Sequence, residues 1–155
     1  MKTILSLLIV FSLLACSGQN SKESESMKFP LEKSEAQWKK ELPEQTYFVM
    51  RKKGTERAFS GEYNNYKGEG TFVCAACANP LFSGKHKFDS GTGWPSYYQV
   101  IDSKNVLEIT DRSLGMARTE VLCANCGGHL GHVFPDGPKP TGMRYCINSA
   151  ALKLK

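Results

Sequence analysis

Two C-x2-C pairs, Cys74/Cys77 and Cys123/Cys126, constrain this chain more than any other feature. Each pair lets two thiolates turn back onto one ion, and two pairs complete a closed tetrahedron of four sulfurs. Such a zinc site has no open position, so it supports a fold rather than catalyses. With 45 residues between Cys77 and Cys123, the metal would staple distant segments. Gly127-Gly128 relieves the tight turn after the second pair. Two other readings stay open. The pairs could be disulfides in an oxidising compartment, although adjacent C-x2-C disulfides are usually redox-active and no βαβ pattern lies nearby. Alternatively Cys123, Cys126, His129 and His132 could be the ligands, but they crowd into ten residues and leave Cys74 and Cys77 without a role.

The chain has 155 residues, a length that implies one domain behind an N-terminal leader. Lys2 precedes an apolar run, Ile4 to Leu14, broken only by Ser6 and Ser12. The run is shorter than the ~20 residues that span a bilayer, and residues 1–15 read as a signal peptide. Leu13-Leu14-Ala15-Cys16 resembles the lipobox of bacterial lipoproteins. That likeness implies cleavage before Cys16 and a lipid on its thiol. An ordinary signal peptide, cut nearby and leaving a free thiol, is the alternative. Residues 16–28 are polar and nearly free of apolar side chains, too little to offset their ordering entropy. They read as a flexible tether to a domain over 29–155, lipid-anchored on the exported side of a bacterial membrane.

The formal charge of +5 falls to +4 without Lys2, and only Lys39-Lys40 and Arg51-Lys52-Lys53 form basic runs. A nucleic-acid binder shows a stronger basic stripe, so these lysines and arginines read as solvated faces. Ser34-Glu35-Ala36-Gln37 has the spacing of a capping box and predicts a helix to about Leu42. Pro43 suits a first helical position, and Glu44 to about Lys52 predicts a second helix closed by Gly54. Trp38, Leu42, Tyr47, Phe48 and Met50 are available to pack both helices on the core. Beyond Gly54 the runs are short. Residues 71–73, 106–110, 116–122, 132–134, 144–147 and 151–154 read as strands. Asp89 to Ser96 reads as a loop, and Pro135-Asp136-Gly137-Pro138 as a turn. No helix of crossover length separates the strands, which excludes a parallel sheet. The fold class is mainly β, antiparallel, with short N-terminal helices.

Six cysteines are present, and Cys146 alone has no other role. If Arg144-Tyr145-Cys146-Ile147-Asn148 is a strand, its two-residue period puts Arg144, Cys146 and Asn148 on one face. A neighbouring cation lowers a thiol pKa and makes it a better nucleophile. His129 and His132 precede Cys146 across the Pro135 to Gly142 turn. A hairpin-like return brings His132 and Phe134 near it, and histidine can supply a proton near neutral pH.

Gly54-Thr55-Glu56-Arg57-Ala58-Phe59-Ser60-Gly61-Glu62-Tyr63, Gly93-Trp94-Pro95-Ser96, Arg118-Thr119-Glu120-Val121, His129 to Pro135 and Arg144 to Asn148 together resemble the B-type methionine sulfoxide reductases. The likeness covers about residues 29–155. It implies two antiparallel β-sheets with N-terminal helices and one structural zinc ion held by Cys74, Cys77, Cys123 and Cys126. It implies reduction of the R epimer of methionine sulfoxide, mainly in proteins, with a thioredoxin-like donor. Cys146 matches the nucleophile, which becomes a sulfenic acid. His132 and His129 match the residues that handle the proton. Arg144 favours the thiolate and Asn148 helps hold the substrate. Trp94 matches the wall of the methyl pocket, where burying one methyl contributes about 0.8 kcal/mol. Phe134 fits either that pocket or the core.

In one respect the chain departs from the family pattern. Many members carry a recycling cysteine where this chain has Thr92. An external thiol should therefore reduce the sulfenic acid directly, unless an unlipidated Cys16 folds back. The expectation is a monomeric repair enzyme of the cell envelope. Two rival classes are a zinc-stapled β module that binds a partner without catalysis, and a thiol oxidoreductase that uses the C-x2-C pairs.

Overall fold

In the computed structural model, which describes residues 27–155, the chain begins its regular structure where the capping box places it. The Ser34 side chain accepts from the Gln37 backbone N–H, and the Gln37 side chain accepts from the Ser34 N–H. Helix α1 then runs Glu35–Glu41. Helix α2 runs Glu44–Lys52, with Pro43 as its N-cap rather than its first helical residue. Lys53, not Gly54, takes the left-handed C-cap conformation, at φ 55°. Gly54 is required for space, because a Cβ there would collide with the Phe48 ring. Trp38, Val49 and Met50 are buried, whereas Phe48 is exposed, contrary to its expected core role. Each fully buried side chain of this size contributes roughly 1.5–3 kcal/mol. The expected signal peptide, Cys16 and the expected tether as far as residue 26 lie outside the described residues.

Nine strands follow: β1 Thr71–Cys74, β2 Pro80–Ser83, β3 Lys87–Phe88, β4 Ser96–Tyr97, β5 Val106–Asp111, β6 Arg118–Cys123, β7 His129–Phe134, β8 Arg144–Ile147 and β9 Leu152–Leu154. They form two antiparallel sheets, in the orders β2-β1-β9 and β3-β4-β8-β7-β6-β5. Three strands escape the sequence reading: β2, which opens on a proline, and the two-residue β3 and β4. β7 begins at His129 rather than His132, and β6 begins at Arg118 rather than Met116.

The sheets meet through aromatic rings. Tyr97 of the six-stranded sheet stacks on Phe82 of the other at 4.4 Å and meets Phe72 edge-on at 5.3 Å. Tyr145 joins this cluster through Phe82 at 5.8 Å. In β8, Tyr145 and Ile147 are therefore buried in the core, while the alternate residues Arg144 and Cys146 are half-buried on the other face. Core packing thereby fixes which way Cys146 points.

Directly opposed residues in an antiparallel sheet share a face. The register pairs Glu120 with His132, His132 with Cys146, and Cys146 with Ser96, one row across β6, β7, β8 and β4. A β-bulge interrupts the β6–β7 ladder. Val121 pairs with Gly131 and Leu122 with His129, which leaves Leu130 as the extra residue. Three positions apart, His129 and His132 would otherwise project to opposite faces. The bulge turns both to the same side, and their ring centroids lie 5.5 Å apart.

Candidate functional site

The row ends in a small cavity of about 150 Å³, lined by Thr55, Trp94, Arg118, Gly131, His132, Phe134, Cys146 and Asn148. That is below the range of drug-sized pockets and suits the end of one side chain. Gly131 lets β7 and β8 approach here, since a Cβ would strike the Cys146 carbonyl. The Cys146 thiol lies 3.9 Å from the Thr92 hydroxyl, which continues through Ser90 at 2.8 Å to the buried Ser96 at 2.7 Å from Ser90. Burial pushes the Cys146 thiol up from its ordinary value, and the Thr92 hydroxyl and Arg144 guanidinium pull it down without cancelling that rise. The cation expected to activate the thiol thus acts in the expected direction but is outweighed by desolvation.

Arg144 is itself committed. It donates from Nε and Nη2 to the two carboxylate oxygens of Asp136, both at 2.9 Å, and lies over the Phe134 ring at 4.5 Å. The pair holds Asp136 below the usual carboxylate range and Arg144 above its own. Phe134, read as pocket or core, is a pocket residue that also seats this cation.

Trp94 is held by its indole N–H, which donates to the Glu56 carbonyl at 3.1 Å. Gly93 before it has φ 91° and sits so close to Ala58 and Phe59 that a Cβ would not fit. Glu56 ties this loop to the end of β8. Its buried carboxylate accepts from the Ser149 and Ala150 backbone N–H groups at 2.6 and 2.9 Å, and its own N–H donates to Asn148 Oδ1 at 3.0 Å. Asn148 lies just past β8, and its Nδ2 donates to the Leu130 carbonyl, the bulge residue, at 2.9 Å. The same carbonyl accepts the Asn148 backbone N–H. Asn148 therefore pins the bulge as well as lining the cavity, which leaves one amide N–H for a substrate.

Each histidine meets a carboxylate, but through different nitrogens. His129 Nδ1 is 2.7 Å from Glu120 Oε1, and Lys53 Nζ donates to Glu120 Oε2 at 2.8 Å. His132 Nε2 is 2.8 Å from Asp111 Oδ2, which also accepts from Arg118 Nη2 at 2.7 Å. Burial lowers the His132 pKa, with Asp111 opposing it. The Ser113 hydroxyl and backbone N–H, then His132, hold Asp111 well below the usual carboxylate range. Burial would raise Glu120, but His129 and Lys53 outweigh it and hold that carboxyl low.

The four remaining described cysteines cluster apart from this cavity. Their sulfurs all lie within 4.8 Å of one another, with Cys74 to Cys126 at 3.7 Å and Cys77 to Cys123 at 3.6 Å. A tetrahedral ion with metal–sulfur bonds of ~2.3 Å separates its ligands by about 3.8 Å, so the spacing fits a four-thiolate ion. None of the four is disulfide-bonded, and the donor set, with three members buried, suits a thiophilic cation. His129 is engaged with Glu120, so the ligand set that includes both histidines is not formed.

Sequence reasoning assigned no role to Lys53, Thr55, Asp111, Arg118 or Glu120, nor saw that Glu56 braces the Trp94 loop. The available signal was a charged residue inside a strand whose neighbours are apolar, as at Glu120. Its partners depend on the bulge and on the left-handed cap at Lys53, and neither has a local signature in the sequence.

Comparison with known proteins adds a second line. Residues 42–155 match the SelR domain. A peptide methionine sulfoxide reductase MsrB of Bradyrhizobium diazoefficiens is 63% identical over 123 residues, covering 79% of this chain and 88% of the relative. The protein of the same name from Thiobacillus denitrificans is 58% identical over 122 residues, 79% of this chain and 92% of its own. That of Leptospira interrogans is 54% identical over 129 residues, 83% of this chain and 98% of its own.

Proposed function

This chain belongs to the SelR-domain methionine sulfoxide reductases, and from that premise we propose that it reduces the R epimer of methionine sulfoxide in oxidised proteins, using Cys146 as nucleophile. The observation that carries this reading is the cavity that places the Cys146 thiol with Trp94, Phe134 and His132. The methyl end of the side chain rests on Trp94, and the sulfoxide oxygen faces His132. The Cys146 sulfur attacks the substrate sulfur. The sulfur–sulfur bond so formed and the sulfur–oxygen bond of the sulfoxide then break as a new sulfur–oxygen bond forms on Cys146, which is left as a sulfenic acid. The proton given up by the thiol returns through the histidine pair to that oxygen. The sulfur of Cys146 is oxidised by two electrons, the substrate sulfur is reduced by two, and methionine departs.

Among the described residues the nearest hydroxyl to the thiol at Thr92 stands where a recycling cysteine would. A thiol of a thioredoxin-like donor therefore condenses with the sulfenic acid and releases water, and a second thiol frees Cys146 as the donor becomes a disulfide. Cys74, Cys77, Cys123 and Cys126 would hold a zinc ion, which would supply a cross-link between the sheets outside these steps. The enzyme acts as a monomer, lipid-anchored through Cys16 in the bacterial envelope. That placement rests on the leader sequence, and Cys16→Ser should release the protein from membranes.

The test is a turnover assay on separated R and S epimers of a methionine sulfoxide peptide. Wild type should consume the R epimer alone, and Cys146→Ser neither. Turnover of the S epimer, or activity in pure Cys146→Ser protein, would overturn the reading.

A further inference from the structure

Beside the Cys146 cavity lies a second one of about 360 Å³ that shares Thr55, Arg118 and His132 with it. The nucleophile is not in it. Its remaining lining includes Lys53, Asp111, Glu120 and His129. His132 faces both cavities, whereas His129 lines only the second. His129 therefore lies behind His132, whose ring it meets edge-on with centroids 5.5 Å apart.

The two histidines are not equivalent. Glu120 and His129 are each 3% exposed at the side chain, and the cation that balances Glu120 is Lys53, at 63%. Asp111 and His132 are less deeply buried, and their cation Arg118 is held in place by Asp111 and Ser113. A buried carboxylate is costly even when paired, and an apolar pair of the same volume often serves stability as well. Glu120 is buried on the same strand face as the nucleophile and His132. That placement serves charge in the site rather than packing.

Accepting the reductase reading above, we infer that Glu120 is a positioning residue for the reaction. Its carboxylate fixes the His129 ring by Nδ1 and places negative charge beside the histidine pair, and the exposed Lys53 offsets part of that charge. The groups facing His129 are Glu120 and Arg118 from β6, His132 from its own strand, Asp111 from β5, and Lys53 from the end of α2. Glu120 and Lys53 have opposite charges and meet at one carboxylate. Removing each should therefore move the same ionisation in opposite directions. Loss of Glu120 removes negative charge near His132 and loss of Lys53 removes positive charge, so the two changes act on its proton with opposite signs.

The experiment is the pH profile of kcat/KM for an R-sulfoxide peptide in wild type, Glu120→Gln and Lys53→Met. Because burial holds the Cys146 thiol above its ordinary value and His132 below its own, the His132 inflection forms the low-pH side of the plateau, and the plateau height follows the proton affinity of His132. In Glu120→Gln the inflection should fall by about one pH unit and the plateau by about tenfold. In Lys53→Met the inflection should rise by about half a unit and the plateau by about threefold. Thermal melting and zinc content check folding. Lys53 is exposed enough that its variant carries the test if Glu120→Gln does not fold. An unmoved inflection, or shifts in the same direction, would make this a structural ion pair and overturn the inference. Inactivity of wild type toward both epimers would instead overturn the reductase reading.

Discussion

Two groups of cysteines divide the molecule. Cys74, Cys77, Cys123 and Cys126 face one another at 3.6–3.7 Å across pairs and join β1 to β6. Cys146 stands alone on β8 among a hydroxyl, a guanidinium, an indole and an imidazole. Burial acts on both groups, but its consequence differs. Four thiols packed together can all ionise only with a cation among them, and once they do they are spent on the fold. A single thiol whose pKa is raised by burial keeps its reactivity in reserve until the site supplies a route for its proton. Cysteine reactivity here is decided by the neighbours of the sulfur rather than by its exposure.

The largest effect should come from Cys146→Ser, which leaves the fold intact and lowers turnover by at least about 10⁴-fold, as removal of a nucleophile does elsewhere. Steady-state kinetics and a melting curve on the same sample check both halves. Cys126→Ser should do the reverse. It removes a ligand that holds β6 to β1, and structural zinc contributes several kcal/mol or more to folding. Metal analysis and thermal melting should show zinc and cooperative unfolding lost together, whereas normal melting without zinc would break the contrast.

Trp94→Ala comes next. The ring forms one wall of the cavity and donates to the Glu56 carbonyl. Losing the roughly 0.8 kcal/mol of methyl burial corresponds to about fourfold in kcat/KM, and release of the loop from Glu56 should add to it. Glu56→Gln makes a useful companion, since its carboxylate holds the backbone beyond Asn148. It should loosen Trp94 and the bulge together, and cost about 1–3 kcal/mol of stability.

Thr92→Cys should sharpen the comparison by giving Cys146 the thiol neighbour it lacks. The Thr92 hydroxyl already lies 3.9 Å from the Cys146 sulfur, and a disulfide needs the introduced sulfur to close to about 2.0 Å. Peptide mapping after one turnover should find a bridge between position 92 and Cys146, with faster use of thioredoxin.

The smallest expected effect is on acid stability. Asp111 and Glu120 are both held below their ordinary values in the folded chain. A lowered carboxylate contributes stability that is full above its unfolded pKa, about 3.9 for Asp and 4.3 for Glu, and is lost as pH falls through the folded value. Melting temperature should therefore drop as pH is lowered from about 5, and the drop should be smaller in Glu120→Gln.

The four-cysteine cluster was legible in the sequence because each C-x2-C pair is a local device, set by one tight turn. The Cys146 strand was legible for the same reason, since alternation puts Arg144 and Cys146 on one side. The capping box at Ser34 gave α1 its start. The carboxylates behind the histidines were not legible. Spacing alone puts His129 and His132 on opposite faces, and only the unpaired Leu130 reverses that. Asn148 was read as a substrate ligand, and its amide also holds the bulge at Leu130 and the Glu56 N–H. β2 was missed because Pro80 opens it, a position where proline is tolerated at a strand's first residue. β3 and β4 have two residues each, and they form as an extension of the sheet, β4 pairing with β8 and β3 with β4.

The central claim is that one thiol reacts while four do not. A single turnover on the R sulfoxide without reductant, in the presence of a sulfenic-acid trap, tests it directly when every cysteine is mapped by mass spectrometry. One trap adduct on Cys146 per methionine formed is expected, with Cys74, Cys77, Cys123 and Cys126 unmodified and zinc retained. Released zinc, or a disulfide among those four with Cys146 still reduced, would contradict it.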